Sequence, residues 1–107
     1  MKKVNGRFLF GCFAGLPYGN CDESFDEYRN YHNKLSKEVV LRHIESLEDW
    51  LTSVPTADMF TGEELQAGKY DDGPFTFPMD FAHYYRNYDI GIPYEYEEYL
   101  MKECGLR

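Results

Sequence analysis

The chain lacks the roughly 20-residue apolar run that a membrane helix needs. Its most apolar stretch, residues 8–16, is interrupted by Gly11 and Gly15. A basic Met1, Lys2, Lys3 start precedes that stretch, as in a secretory leader, but aromatics replace the usual leucine and alanine and no small-x-small cleavage pattern follows. Secretion is therefore not expected. Cysteine is scarce and odd in number, with Cys12, Cys21 and Cys104. No paired Cys or His spacing suggests zinc, and a leftover thiol without a leader points to a reducing cytoplasm with buried or idle cysteines. Basic residues are also few: 11 Lys and Arg stand against 19 Asp and Glu, giving a net charge of -8 and a pI near 4.7. That shortage argues against direct nucleic-acid binding and against an anionic membrane surface, both of which need clustered cations. There is no internal repeat, no low-complexity tract and no linker rich in Gly, Ser or Pro.

What the 107 residues do contain is aromatic material: ten Tyr and eight Phe, within a hydrophobic share of 43%. This suffices for one small domain spanning residues 1–107 without disulfides. The pattern predicts an α+β fold, mostly helical, with about four helices and a short strand pair or small sheet. Residues 7–14 read as a strand buried on both faces, and the loop signals at 15–20 close it. Ser24 and Glu27 have capping-box spacing before a helical stripe of Phe25, Tyr28, Tyr31 or His32, and Leu35. A second helix follows Ser36, with Val40, His43, Ile44, Leu47, Leu51 and Val54 on one face and Pro55 at its end. Thr61 and Glu64 repeat the capping spacing and predict one further turn, ended by Gly68. Asp71, Asp72, Gly73 and Pro74 form a turn signal, and 75–77 reads as a short strand beside the first. Asp80 is placed to cap a helix that Gly91 terminates. Pro93 opens a last helix, near its first position, and Gly105 is its C′ residue.

Several patterns contain residue types that chemical sites use. Glycines 6, 11, 15 and 19 surround a strand-like segment but lack the GK[ST] or dinucleotide fingerprint of a phosphate loop. Cys12 with His32, His43 or His83 would make a nucleophile and base only if folding joined them; Cys12 lies in the most apolar run, where packing explains it. His43 sits on an apolar stripe and reads as a core histidine. Asp71, Asp72 and the Glu95, Glu97, Glu98 group offer hard oxygen ligands, but neither has EF-hand spacing. No catalytic residue, metal or cofactor is expected. Charge, by contrast, is localised: the first twenty residues carry +3 and residues 58–107 carry -7. In this second region Asp71, Asp72, Asp89, Tyr94, Glu95, Tyr96, Glu97 and Glu98 form the expected partner-binding set, with tyrosines as rigid anchors and carboxylates facing a basic partner.

The runs MFTGEEL at 59–65, FTFPMDF at 75–81 and YDIGIP at 88–93 resemble the small acidic reading frames of mobile elements in Gram-positive bacteria. In size and character the chain is similar to anti-CRISPR proteins that inhibit the type II RNA-guided nuclease. The resemblance carries no site residues with it. It implies a non-enzymatic inhibitor that occupies a basic groove meant for guide RNA or target DNA; a cytoplasmic chain, monomeric or a small homo-oligomer, is expected. Two other readings stay open: an acidic accessory or oligomeric interaction domain, and a small nuclease or hydrolase with a His and carboxylate site around His83.

Overall fold

The computed structural model describes residues 1–14, 22–51 and 55–107. An Asn5-Gly6 pair, at φ 51° and 81°, forms a two-residue turn between β1 (Lys2–Val4) and β2 (Arg7–Leu9). Two consecutive positive φ values match the right-handed twist of the strands they join. The expected strand over 7–14 is thus only three residues long, and its Phe8 is 37% exposed. The buried aromatics Phe10 and Phe13 come after it. The expected loop at 15–20 lies outside the described residues.

The stretch with capping-box spacing forms a 3-10 turn, Asp26–Asn30, without a side-chain cap. Tyr28 is pinned instead: its hydroxyl donates to Glu23 Oε2 at 2.7 Å and accepts from the Gly11 N–H at 2.9 Å. Ser36 does cap α1 (Lys37–Glu45), accepting from the Val39 N–H at 3.3 Å. This helix is shorter than its apolar stripe suggested. Ser46 closes it, its own N–H and hydroxyl both turning back to the His43 carbonyl. Beyond it Asp49–Leu51 is strand β3, and the expected continuation through Val54 lies partly outside the described residues.

The expected turn at 61–67 is instead the return of a small hairpin, β4 (Thr56–Ala57) with β5 (Glu64–Leu65). Strand β6 (Gly68–Asp72) then turns through Gly73 and Pro74 into β7 (Phe75–Pro78), where the sequence places a turn and a strand. The main sheet runs β1-β2-β7-β6-β3, with β2 and β7 parallel and the other pairs antiparallel. Among the described residues, seven strands, five of them in the main sheet, and three nine-residue helices correct the expectation of a mostly helical chain with four helices; the α+β class and small compact form stand.

Helix α2 (Met79–Asn87) starts at Pro78, so Asp80 lies inside its first turn rather than capping it. Helix α3 (Tyr94–Lys102) starts at Pro93. Gly105 has φ +68°, and the Leu106 N–H reaches back to the Leu100 carbonyl at 3.1 Å, which closes the end of α3. The core is aromatic: the Phe10 ring lies 4.8 Å from both Phe77 and Tyr96 and meets Phe81 edge-on at 5.3 Å. Such tilted and edge-to-face pairs add to simple area burial. Phe75 and Phe77 face this core, and Thr76 between them faces the other side of the sheet, as strand alternation requires.

Candidate acidic interface on the last helix

A helix sorts its residues by spacing, and α3 sorts the expected interface into two groups. Tyr96 and Leu100, one turn apart, are fully buried, and Glu97 is buried with them. Tyr96 donates to Asp72 Oδ2 at 2.7 Å, and Asp72 itself is only 5% exposed. Glu97 Oε2 accepts the backbone N–H groups of Lys34 at 2.7 Å and Leu35 at 3.0 Å. Asp72, Tyr96 and Glu97 therefore hold the fold together and present nothing to a partner. Tyr96, Glu97 and Leu100 recur at helical spacing and so share the inward face of α3, a pattern that helical counting along the sequence would have exposed, whereas Asp72 is buried at the end of β6.

The remaining members are outside but not all together. Asp71 is half-buried on the far face of the sheet, between Arg7 at 3.7 Å and Lys69 at 3.6 Å. Asp89 is exposed past the end of α2. Tyr94 is 48% exposed, its ring edge-on to Tyr31 at 5.0 Å and its hydroxyl accepting the His32 N–H at 3.1 Å. Glu95 and Glu98 share the outward face of α3.

Here Glu95, Glu98, Tyr99, Lys102 and Glu103, with Pro74 and Phe75, line an open trough of about 620 Å³. Three carboxylates face one ammonium, and Lys102 is taken by Glu98 at 2.7 Å, which holds the Glu98 carboxyl below its ordinary range. Glu95 and Glu103 have no ion-pair partner among the described residues. The half-buried Tyr99 ring is stacked on Tyr96 at 6.3 Å. Burial, a hydrogen bond with Cys104 and the nearby Asp72 charge push the Tyr99 hydroxyl well up, so it stays a neutral phenol. The trough is a carboxylate rim beside an aromatic wall, the complement of a Lys or Arg side chain.

Two histidine and aspartate pairs occur elsewhere. His83 Nε2 lies 2.7 Å from Asp58 Oδ2, an aspartate the sequence did not single out. Asp58 also accepts from Tyr88 at 2.8 Å and from the N–H groups of Phe60 at 2.7 Å and Thr61 at 3.1 Å. Burial alone would raise this carboxyl, but those donors, His83 foremost, hold it down to about 2. Asn87 occupies the other side of the ring, 3.2 Å from His83 Nδ1. With both ring nitrogens engaged, the pair fastens the turn after β4 to α2. The second pair joins His43 Nε2 to Asp72 Oδ2 at 2.8 Å, so the histidine on the apolar stripe has its partner. Cys12 is disulfide-bonded, which removes it as a nucleophile and corrects the expectation of idle cysteines; Cys104 is a free thiol.

A cavity of about 650 Å³ lies on the far face of the sheet among Val4, Arg7, Leu9, Lys69, Asp71 and Thr76. Thr56 Oγ1 and Asp71 Oδ1 on its wall are buried and meet no hydrogen-bond partner among the described residues. Compared with known protein families, curated proteins and solved structures, the chain matches none of them.

Proposed function

We propose that this chain is a non-enzymatic binding protein that seats a basic partner against the α3 trough. The observation that carries this reading is the grouping of Glu95, Glu98 and Glu103 around Tyr99 on one exposed helix face. Cationic side chains entering the trough exchange water for carboxylates and an aromatic ring, and the surrounding negative field speeds their approach. The resemblance to anti-CRISPR proteins makes the partner a type II RNA-guided nuclease, whose guide and target channel is lined with cations. Occupying that channel keeps guide RNA or target DNA out without any chemical step. The full engagement of His83 and Asp58 supports the non-enzymatic reading over a hydrolase. Disulfides are rare in reducing compartments, so the disulfide at Cys12 does not support the cytoplasmic placement expected from the leftover thiol.

The test is binding to the guide-free nuclease at low and high salt, with Glu95, Glu98 and Glu103 together changed to Lys. The parent protein should bind, weaken steeply with salt and block guide loading or target binding; the triple variant should stay folded by circular dichroism and lose binding at least 100-fold. Undiminished inhibition by the triple variant refutes the trough as the docking face.

A second reading, association with further copies of itself, is favoured by the edge strand β3, where Trp50 is 53% and Leu51 60% exposed. Unpaired edge groups beside apolar side chains are a template for strand pairing. Light scattering after size exclusion separates the two, since a dimer that dissociates on Trp50→Lys supports the second.

A further inference from the structure

We propose that His43, Asp72 and Cys104 form a binding site for one divalent transition-metal ion of the zinc type. The three residues come from α1, the end of β6 and the segment after α3, and one donor atom from each lies within 4.8 Å of the others. An imidazole nitrogen, a carboxylate oxygen and a thiolate sulfur are a borderline donor set, suited to zinc over magnesium or calcium.

The spacing is close to what an ion requires. Bonds of about 2.0–2.3 Å around a tetrahedral centre place donors roughly 3.3–3.7 Å apart. His43 and Asp72, now 2.8 Å apart, have to open slightly, and the sulfur has to close by about 1 Å at most. Access is available because His43 keeps 15% of its side-chain surface and Cys104 is half-exposed, whereas Asp72 keeps 6%.

The surroundings already have the form of an outer shell. Tyr96 donates to Asp72 Oδ2 at 2.7 Å and Tyr99 to Oδ1 at 3.2 Å, fixing the carboxylate in place. Cys104 follows the carboxyl end of α3, where the helix dipole is negative and favours a cation. On binding, the Cys104 thiol gives its proton to solvent and the sulfur takes up the metal. His43 carries its proton on Nδ1 so that the Nε2 lone pair meets the ion in place of the hydrogen bond to Asp72. Three chain-distant elements are then joined through one centre with a fourth position open. This inference is independent of the docking reading above.

Cobalt(II) is the probe, added to purified, metal-free protein without reductant, under anaerobic conditions. The free thiol at Cys104 should give a thiolate-to-cobalt charge-transfer band saturating at one equivalent, with visible bands of tetrahedral intensity that zinc abolishes. His43→Gln and Cys104→Ser, each checked for folding by circular dichroism, should weaken binding by about 10- to 100-fold or more, and Cys104→Ser should remove the charge-transfer band. Zinc should also raise the melting temperature of the parent and not of Cys104→Ser. Absence of the band together with no thermal shift in excess zinc overturns the proposal, as does equal cobalt affinity in parent and Cys104→Ser.

Discussion

The Glu97 carboxylate, from the middle of α3, accepts the Leu35 backbone N–H at 3.0 Å and so braces the turn that leads into α1. The same oxygen takes the Lys34 N–H at 2.7 Å. Glu97→Ala leaves two donors without this acceptor and should cost about 2–4 kcal/mol in urea unfolding. Glu97→Gln, which keeps an acceptor oxygen, should cost less. Glu95→Ala should change stability by no more than about 0.5 kcal/mol. Equal effects at the two positions would contradict the brace. Charge reversal aimed at the partner surface must therefore leave Glu97 alone.

Acid stability should follow Asp58. Its folded-state value of about 2 lies below the ordinary 3.8, so the folded chain holds its proton less tightly than the unfolded one. The stabilisation is complete above the ordinary value and is lost as pH falls through about 2. Asp72 is displaced in the same direction. Urea midpoints should fall from pH 4 toward pH 2, and Asp58→Asn should lower stability at pH 7 while flattening part of that fall. An unchanged acid slope in Asp58→Asn would show that other carboxyls set it.

Backbone and packing costs can be separated at two glycines. Gly11 has φ +75°, and an added Cβ would stand 2.6 Å from the Phe81 Cδ1 atom in the core; Gly6, at φ +81°, has open space around it. Gly11→Ala should cost about 3 kcal/mol, from strain plus overpacking, and Gly6→Ala about 1 kcal/mol, from strain alone. Thermal melts of the pair test the difference, and similar values would mean that Phe81 gives way freely.

Thr56 offers the opposite sign. Its hydroxyl is buried and meets no hydrogen-bond partner among the described residues, so Thr56→Val removes a desolvated polar atom and keeps the shape. The melting temperature should rise by about 4 °C, equivalent to about 1 kcal/mol. A fall would mean that the hydroxyl has a partner in solution.

Local chemistry was readable wherever one residue type decides the backbone. Ser36 as a cap, Gly73 and Pro74 as a turn, and Gly105 as a helix end all depend on neighbours within a few positions. The Asn5-Gly6 hairpin carried an equally local signal that the strand reading of 7–14 passed over. What sequence could not supply was competition between distant partners. Leu51 continues the helical stripe of the sequence, yet it and Trp50 form strand because the Gly68 to Asp72 edge offers backbone groups to pair with. Asp58 met His83 only through the fold. The acidic set was divided by the same means, since composition counts carboxylates without telling which ones α3 turns inward.

The parallel pairing of Phe8 with Phe75 fixes an order of events during synthesis. The N-terminal hairpin leaves the ribosome long before the strand it must join, and Phe10, two residues on, has neither Phe77 nor Tyr96 to pack against until most of the chain has emerged. Contacts this remote in sequence slow folding and leave aromatic surface uncovered in the meantime. The charged β1 strand, with Lys2 and Lys3 beside that waiting surface, is placed to discourage premature association of nascent chains.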